Sequence, residues 1–429
     1  MKIAPAPDLQ PVQNLRGTVA LNGGDHMRSM SLRWSTFLAP LLAAAAPVGA
    51  QQAQPTTPPP NAVSTSAGNM KIERLATLEY PWGMAVLPGG RLLITEKPGR
   101  LRIWENGRLS EPVGGVPSVV YRKAGEQGGL LDVEADPGFA TNRLVYLSYV
   151  EADLQGAKAA ETNEMRFGGP RDLTDSIIRG AAVARGRLEG NELRDVQVIW
   201  RQAPKTVGRG HFGVRIVFGP DGKLYLTSGD RQRFDPAADL KSNLGKVVRI
   251  NPDGTTPTDN PFAGADTARA DIWSYGHRNM LSAAFDPSGR LWVLEMGALG
   301  GDELNLIQRG KNYGWPYVSD GDNYAGPSIP DHATRRDMTA PVRSWTPVIA
   351  PSGALFYSGA MFPAWRGSLL VGGLVTQSLI RLQLDGERRV GIEERVFMGR
   401  RIRDVAQAPD GALFVIVDDK AGDLLRLSR

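Results

Sequence analysis

From residue 71 to the C-terminus the chain repeats one pattern: a short apolar run, a turn built on Pro, Asp or Gly, then a second apolar run. It shows as "GMAVLPGGRLLITEKPGRLRIW" (83–104), "GGLLDVEADPGFATNRLVYLSYV" (128–150) and "VRIVFGPDGKLYLTSGD" (214–230). It returns as "MLSAAFDPSGRLWVLEMG" (280–297), "SGALFYSGAMFPAWRGSLLVGGL" (352–374) and "RDVAQAPDGALFVIVDD" (403–419). Apolar runs bounded by such turn signals read as β-hairpins. No stretch sustains a helical period, although "AADLKSN" is compatible with one turn of helix. A βαβ fold needs strands alternating with helical patterns of about 10–15 residues, so it is set aside. Six hairpins at this spacing predict an all-β, six-bladed β-propeller over residues 71–429, with a sandwich as the alternative. Two longer inserts, 151–175 and 316–340, are polar and rich in Gly and Pro, and read as loops on one face.

The N-terminal segment departs from this pattern. Residues 27–50 begin with Arg28 and Arg33, continue as an apolar stretch from Phe37 to Val48, and end in Val48-Gly49-Ala50. That is the layout of a secretory signal peptide, with cleavage expected after Ala50 and the start of translation near Met27 or Met30. The apolar stretch is shorter than the roughly 20 residues of a permanent span, so stable membrane insertion is not expected. The product is then periplasmic or secreted. Residues 51–70 open on Pro, Gln and Thr with little to bury, and read as a disordered leader.

Composition narrows the chemistry. Of 429 residues 22% are charged and 41% hydrophobic, enough for a sizeable core. Cysteine is absent, which excludes a disulfide framework, thiol catalysis and attachment of haem through a Cys pair. Net charge is small and no basic run occurs, so nucleic acid is not an expected partner.

Five short segments carry candidate chemistry. His211, one of four histidines, stands among glycines just before an apolar run, where its imidazole can take a proton from an alcohol near neutral pH. A structural histidine is the plainer reading of that position alone. In "SYGHRNM" Arg278 and Asn279 offer donors suited to carboxylate or quinone oxygens, or form a surface turn. Gln127, in "EQGGLLD", can donate and accept beside glycines that admit a ligand closely. The segment 295–315 combines Asp302 and Glu303 with flexible glycines, donors that calcium favours, although it lacks EF-hand spacing. Arg401 and Arg403 alternate and so lie on one side of a strand, where they face an anion or solvent.

Seven segments in order, "EQGGLLDVEADPGF", "GHFGVRIVFGPDGKLYLTSGD", "SYGHRN", "EMGALGGDELN", "GKNYGWP", "APSGALFYSG" and "RIRDVAQAPDG", resemble the soluble glucose/sorbosone dehydrogenase family. The resemblance is strongest to periplasmic aldose sugar dehydrogenases that use pyrroloquinoline quinone (PQQ). It implies a six-bladed propeller with PQQ and Ca²⁺ at the top of the central channel. It further implies oxidation of aldoses at C1 to lactones, with His211 as general base and hydride transfer to the quinone. Gln127, Arg278 and Asn279 match PQQ contacts, Arg401 and Arg403 match a positive pair near its carboxylates, and Trp345 lies in the segment that walls it. Gly297 and Ala298 match a carbonyl pair on the PQQ-bound Ca²⁺, and Glu303 and Tyr313 match positions linked to calcium. The chain departs from the family at Val375, Met296 and Gly210, where a lysine, a polar residue and an acid are frequent. A small-molecule aldose and a separate electron acceptor are the expected partners, with a homodimer left open. A calcium-dependent propeller hydrolase resembling a lactonase, or a sugar-binding propeller without catalysis, are the alternatives.

Overall fold

Each hairpin read from the sequence becomes the inner half of a four-stranded antiparallel sheet, because only one face of a two-stranded ribbon finds apolar cover until further strands join it. A computed structural model of the chain describes residues 61–122, 126–153, 177–387 and 389–429. The innermost strands are Pro81–Val86, Leu130–Ala135, Ile216–Phe218, Asn279–Phe285, Pro351–Phe356 and Ile402–Gln407. Within the first five blades the chain steps outward from the innermost strand, one neighbour at a time. Each innermost strand touches the next in chain order, and Ile402–Gln407 touches Pro81–Val86, so the ring closes. The fold is a six-bladed β-propeller.

The last blade takes three strands from the C-terminal end and its fourth, Gly68–Leu78, from the other end of the domain. That strand pairs antiparallel with Gly422–Ser428, from Lys71 opposite Ser428 to Leu78 opposite Gly422. Ala62–Thr65 adds a fifth strand by hairpin. The expectation of a disordered leader through residue 70 is therefore corrected over 62–70. Met70 and Ile72 alternate into the core beneath this sheet, and that burial holds the segment in place. Residues 51–60 and the expected signal peptide lie outside the described residues, as do residues 154–175 of the insert expected at 151–175. Among the described residues no helix is long and apolar enough to cross a membrane. The helical turn compatible with "AADLKSN" is displaced to a 3-10 turn at Asp235–Ala237.

The core lies between blades, in layers such as Leu93, Leu130, Val133 and Val145 or Val183, Ile216, Leu226 and Val248. Each fully buried aliphatic side chain there contributes about 1.5–3 kcal/mol. The centre of the ring is polar. Arg215 donates to Asp132 at 2.8 Å, Asp404 at 3.2 Å and the Leu281 carbonyl at 2.8 Å, with its guanidinium 4.3 Å above the Trp82 ring. Asp132 and Asp404 also accept from the backbone amides of Ile216 and Met84. Gly83 makes room for this cluster, since a Cβ there would lie 2.7 Å from Asp132 Oδ1.

Candidate active site

All six innermost strands start at the same end of the ring, and a circuit of polar contacts runs round that mouth. Arg278 Nη1 reaches the Gly297 carbonyl, Gly297 N donates to Asp302, and Asp302 accepts from the amides of Ile349 and Ala350. Leu374 N donates to Ala350, Arg401 reaches the Leu374 carbonyl, and Arg401 pairs with Asp418. Tyr80 N donates to Asp419, Lys97 N to Tyr80, and Lys97 Nζ to the Glu126 carbonyl. Gln127 Oε1 accepts from His211 N, and Asp230 N closes the circle on the Arg278 carbonyl. His211, Arg278, Gln127, Asn279, Gly297, Arg401 and Arg403 all belong to this mouth.

His211 is buried, with Nδ1 2.7 Å from Asp230 Oδ1. Burial pushes its imidazole below the ordinary histidine value, the Arg278 guanidinium pushes the same way, and Asp230 opposes them. Burial alone would raise Asp230, but His211 and Arg278 hold it below the usual carboxylate range. A neutral imidazole beside a charged carboxylate carries its proton on Nδ1, which leaves Nε2 as the basic atom. Asp230 is held in turn by Trp315 Nε1 at 2.8 Å and by the Gln232 amide at 2.9 Å.

The backbone around this pair is strained. His211, Arg231, Gln232 and Phe234 all have positive φ, between 51° and 59°, and each costs about 1–3 kcal/mol. The fully buried Arg231 holds the loop in place by donating to the carbonyls of Gly208, Gly210 and Arg179. Gly213 lets the chain pass close to blade four: its φ is +46°, and a Cβ would sit 2.6 Å from the Met280 carbonyl.

Arg278 ends the loop before the fourth innermost strand, and Asn279 begins that strand. Arg278 Nη1 also donates to the Met296 carbonyl at 2.9 Å, and its guanidinium lies 5.3 Å over the Trp315 ring. Two buried polar atoms here, Arg278 Nε and Asn279 Oδ1, have no partner among the described residues. A buried donor and acceptor left open beside a base suit a polar ligand. On the far side of the mouth Arg401 and Arg403 share Asp418 at 2.9 and 2.8 Å. Burial would raise Asp418, but Arg403, Arg401 and Lys97 hold it well below the usual carboxylate range.

The residues expected to hold calcium come only partly together. Gly297, Glu303 and Tyr313 line one cavity of about 10 Å³, room for about one water, together with Glu295 and Arg278. Ala298 instead packs with Ala237 and Trp315. The Gly297 carbonyl is taken by Arg278, and Glu303 is engaged by His332 at 3.0 Å and Asn305 at 3.1 Å. The Tyr313 hydroxyl donates to the Leu306 carbonyl. These donors do not form a cation shell as they stand.

Trp345 is corrected outright. It lies on the outermost strand of blade four, buried against blade five, with Nε1 on Glu393 at 2.9 Å. The aromatic ring next to the His211–Asp230 pair is Trp315. The sequence reading missed Asp230, Trp315, Asp418 and Lys97. Gly210 precedes the base where an acid is frequent, and Asp230 serves from 19 residues downstream. Its signal is the "SGD" that ends the same hairpin.

A family model described as Glucose / Sorbosone dehydrogenase matches residues 78–426. The aldose sugar dehydrogenase YliI of Escherichia coli is 40% identical over 362 residues, 82% of this chain and 90% of its own. The crystal structure of the soluble aldose sugar dehydrogenase from Escherichia coli in the apo-form aligns with a TM-score of 0.74 at 38% identity, covering 84% of this chain and 99% of that one. Quinoprotein glucose dehydrogenase B of Acinetobacter calcoaceticus is 28% identical over 449 residues, 86% of this chain and 89% of its own. The PQQ-bound form of an aldose sugar dehydrogenase from Streptomyces coelicolor aligns with a TM-score of 0.64 at 28% identity, covering 86% of this chain and 99% of that one.

Proposed function

The chain belongs to the glucose/sorbosone dehydrogenase family, and from that premise we propose that it oxidises aldose sugars at C1 to lactones with PQQ as cofactor. The observation that carries the reading is the buried, neutral His211 oriented by Asp230 next to Arg278. His211 Nε2 accepts the proton of the anomeric hydroxyl, and Asp230 stabilises the imidazolium that results. When bound, PQQ supplies the two-electron acceptor that takes the C1 hydride. The open Arg278 Nε and Asn279 Oδ1 suit its polar edge, while Arg401 and Arg403 suit its carboxylates. Gln127 fixes the loop of the base through the His211 amide. His211, Asp230 and Trp315 are all buried, which keeps bulk water from the Nδ1–Asp230 contact.

Calcium fits less well, because Arg278 occupies the Gly297 carbonyl. The calcium-dependent hydrolase finds no support: among the described residues no three His, Cys, Asp or Glu side chains gather as a metal site. We place the enzyme in the periplasm or outside the cell, passing its electrons to a separate carrier.

The test is dye reduction by the purified chain supplied with PQQ and aldoses. His211→Ala should lower kcat/KM by about 10²–10⁴-fold while the fold is kept. An unaffected His211→Ala enzyme, or a PQQ-supplied chain that oxidises no aldose, overturns the reading.

A further inference from the structure

Three basic side chains meet where the first and last blades face each other at the mouth. Lys97 follows the strand Leu92–Glu96, and its Nζ donates to the Glu126 carbonyl at 2.9 Å. The rings of Tyr80 and Tyr121 flank the ammonium at 5.5 and 5.4 Å, and the residue is only 7% exposed. Arg401 and Arg403 stand opposite, both on Asp418.

The charges facing Lys97 are Asp418, Arg403, Arg401 and Glu126. Asp418 is already shared by the two arginines. The Glu126 carboxylate turns away, toward Arg179 at 3.7 Å and Arg209 at 3.4 Å. Lys97 and Arg403 are buried and Arg401 is partly exposed, and Asp418 is the carboxylate all three face, with Glu126 engaged by other arginines. Such an excess of positive charge, two of its three groups buried, is unfavourable until an anion joins it. The Tyr121 hydroxyl, buried with no partner among the described residues, leaves a further polar atom open beside them.

We propose that Lys97, with Arg401 and Arg403, forms a three-cation cradle for a carboxylate of the acidic quinone cofactor. This rests on the reading of function above. Lys97 also ties the cradle to the base, since Glu126, whose carbonyl it holds, precedes the glutamine that accepts from the His211 amide.

A pH signature follows. Burial lowers Lys97 to about 8, Arg403 and Arg401 push the same way, and Asp418 opposes them. Tyr80 and Tyr121 are pushed above their ordinary value by burial and stay protonated through this range. The ammonium is fully present well below pH 8 and is lost as pH rises through that value, so affinity for the anion falls on the alkaline side. An arginine stays charged there.

The experiment titrates the purified chain with PQQ and reads the dissociation constant from tryptophan fluorescence, at pH 7 and pH 9.5. Lys97→Met should weaken binding at pH 7 by about ten- to hundredfold, the worth of a charge-assisted contact. Wild type should weaken between the two pH values, and Lys97→Arg should not. Wild-type affinity in Lys97→Met overturns the cradle and leaves the function standing. A wild-type chain that binds no PQQ overturns both. If circular dichroism shows Lys97→Met unfolded, Lys97→Arg decides: an alkaline loss matching wild type overturns the cradle.

Discussion

The centre of the ring and its mouth both bury arginines beside carboxylates, yet they are finished differently. At the centre Arg215 faces two carboxylates, Asp132 and Asp404, and both of these accept backbone amides as well. At the mouth Arg401 and Arg403 share the single carboxylate Asp418, which Lys97 also faces, while Arg278 Nε and Asn279 Oδ1 are left open. A saturated cluster locks neighbouring blades together. An unsaturated one keeps its field for a ligand. Arg403 belongs to both: its carbonyl faces Arg215 and its side chain faces Asp418.

The contrast can be broken first at the centre. Arg215→Met leaves Asp132 and Asp404 buried without their cation, and should cost about 3–5 kcal/mol of stability in urea unfolding. A loss below about 1 kcal/mol would mean that the apolar layers, not this cluster, hold the ring. Asp230→Asn probes the mouth and should do the reverse. It should lower kcat by about a hundredfold or more with little change in unfolding midpoint, because the imidazole loses its orienting partner. It should also move the acid limb of kcat/KM to lower pH. Activity is lost as His211 gains a proton, and removing the one carboxylate that favours this proton depresses its pKa further. The smallest effect belongs to Trp345→Phe, which removes the bond to Glu393. It should cost about 1 kcal/mol of stability with kcat/KM unchanged, as expected of a residue between blades.

Much of the fold was legible because each blade begins with a local hairpin whose turn and alternation are written within about twenty residues. The closing strand Gly68–Leu78 was harder to see. Its partner, Gly422–Ser428, lies at the opposite end of the chain, and the residues before it carry the Pro- and Thr-rich composition of a leader. In the site, His211 and the Arg278–Asn279 pair stood out as polar residues interrupting apolar or glycine-rich runs. Asp230 and Trp315 did not, since an Asp at a strand end and a Trp in a loop have ordinary local explanations. Trp345 misled for the converse reason: its segment lies near the mouth, but its position on the outermost strand of the blade carries the indole away.

By itself the sequence determined the blade unit, the count of six and the residue types available at each strand start, since these depend on period and turn chemistry within one hairpin. Only the tertiary structure decided which of those starts share hydrogen bonds across blades. It paired the imidazole with Asp230 and set two arginines and a lysine around one carboxylate. Ring closure brings together groups as far apart as Met84 and Asp404, 320 residues from each other, and no local pattern encodes a contact over that distance.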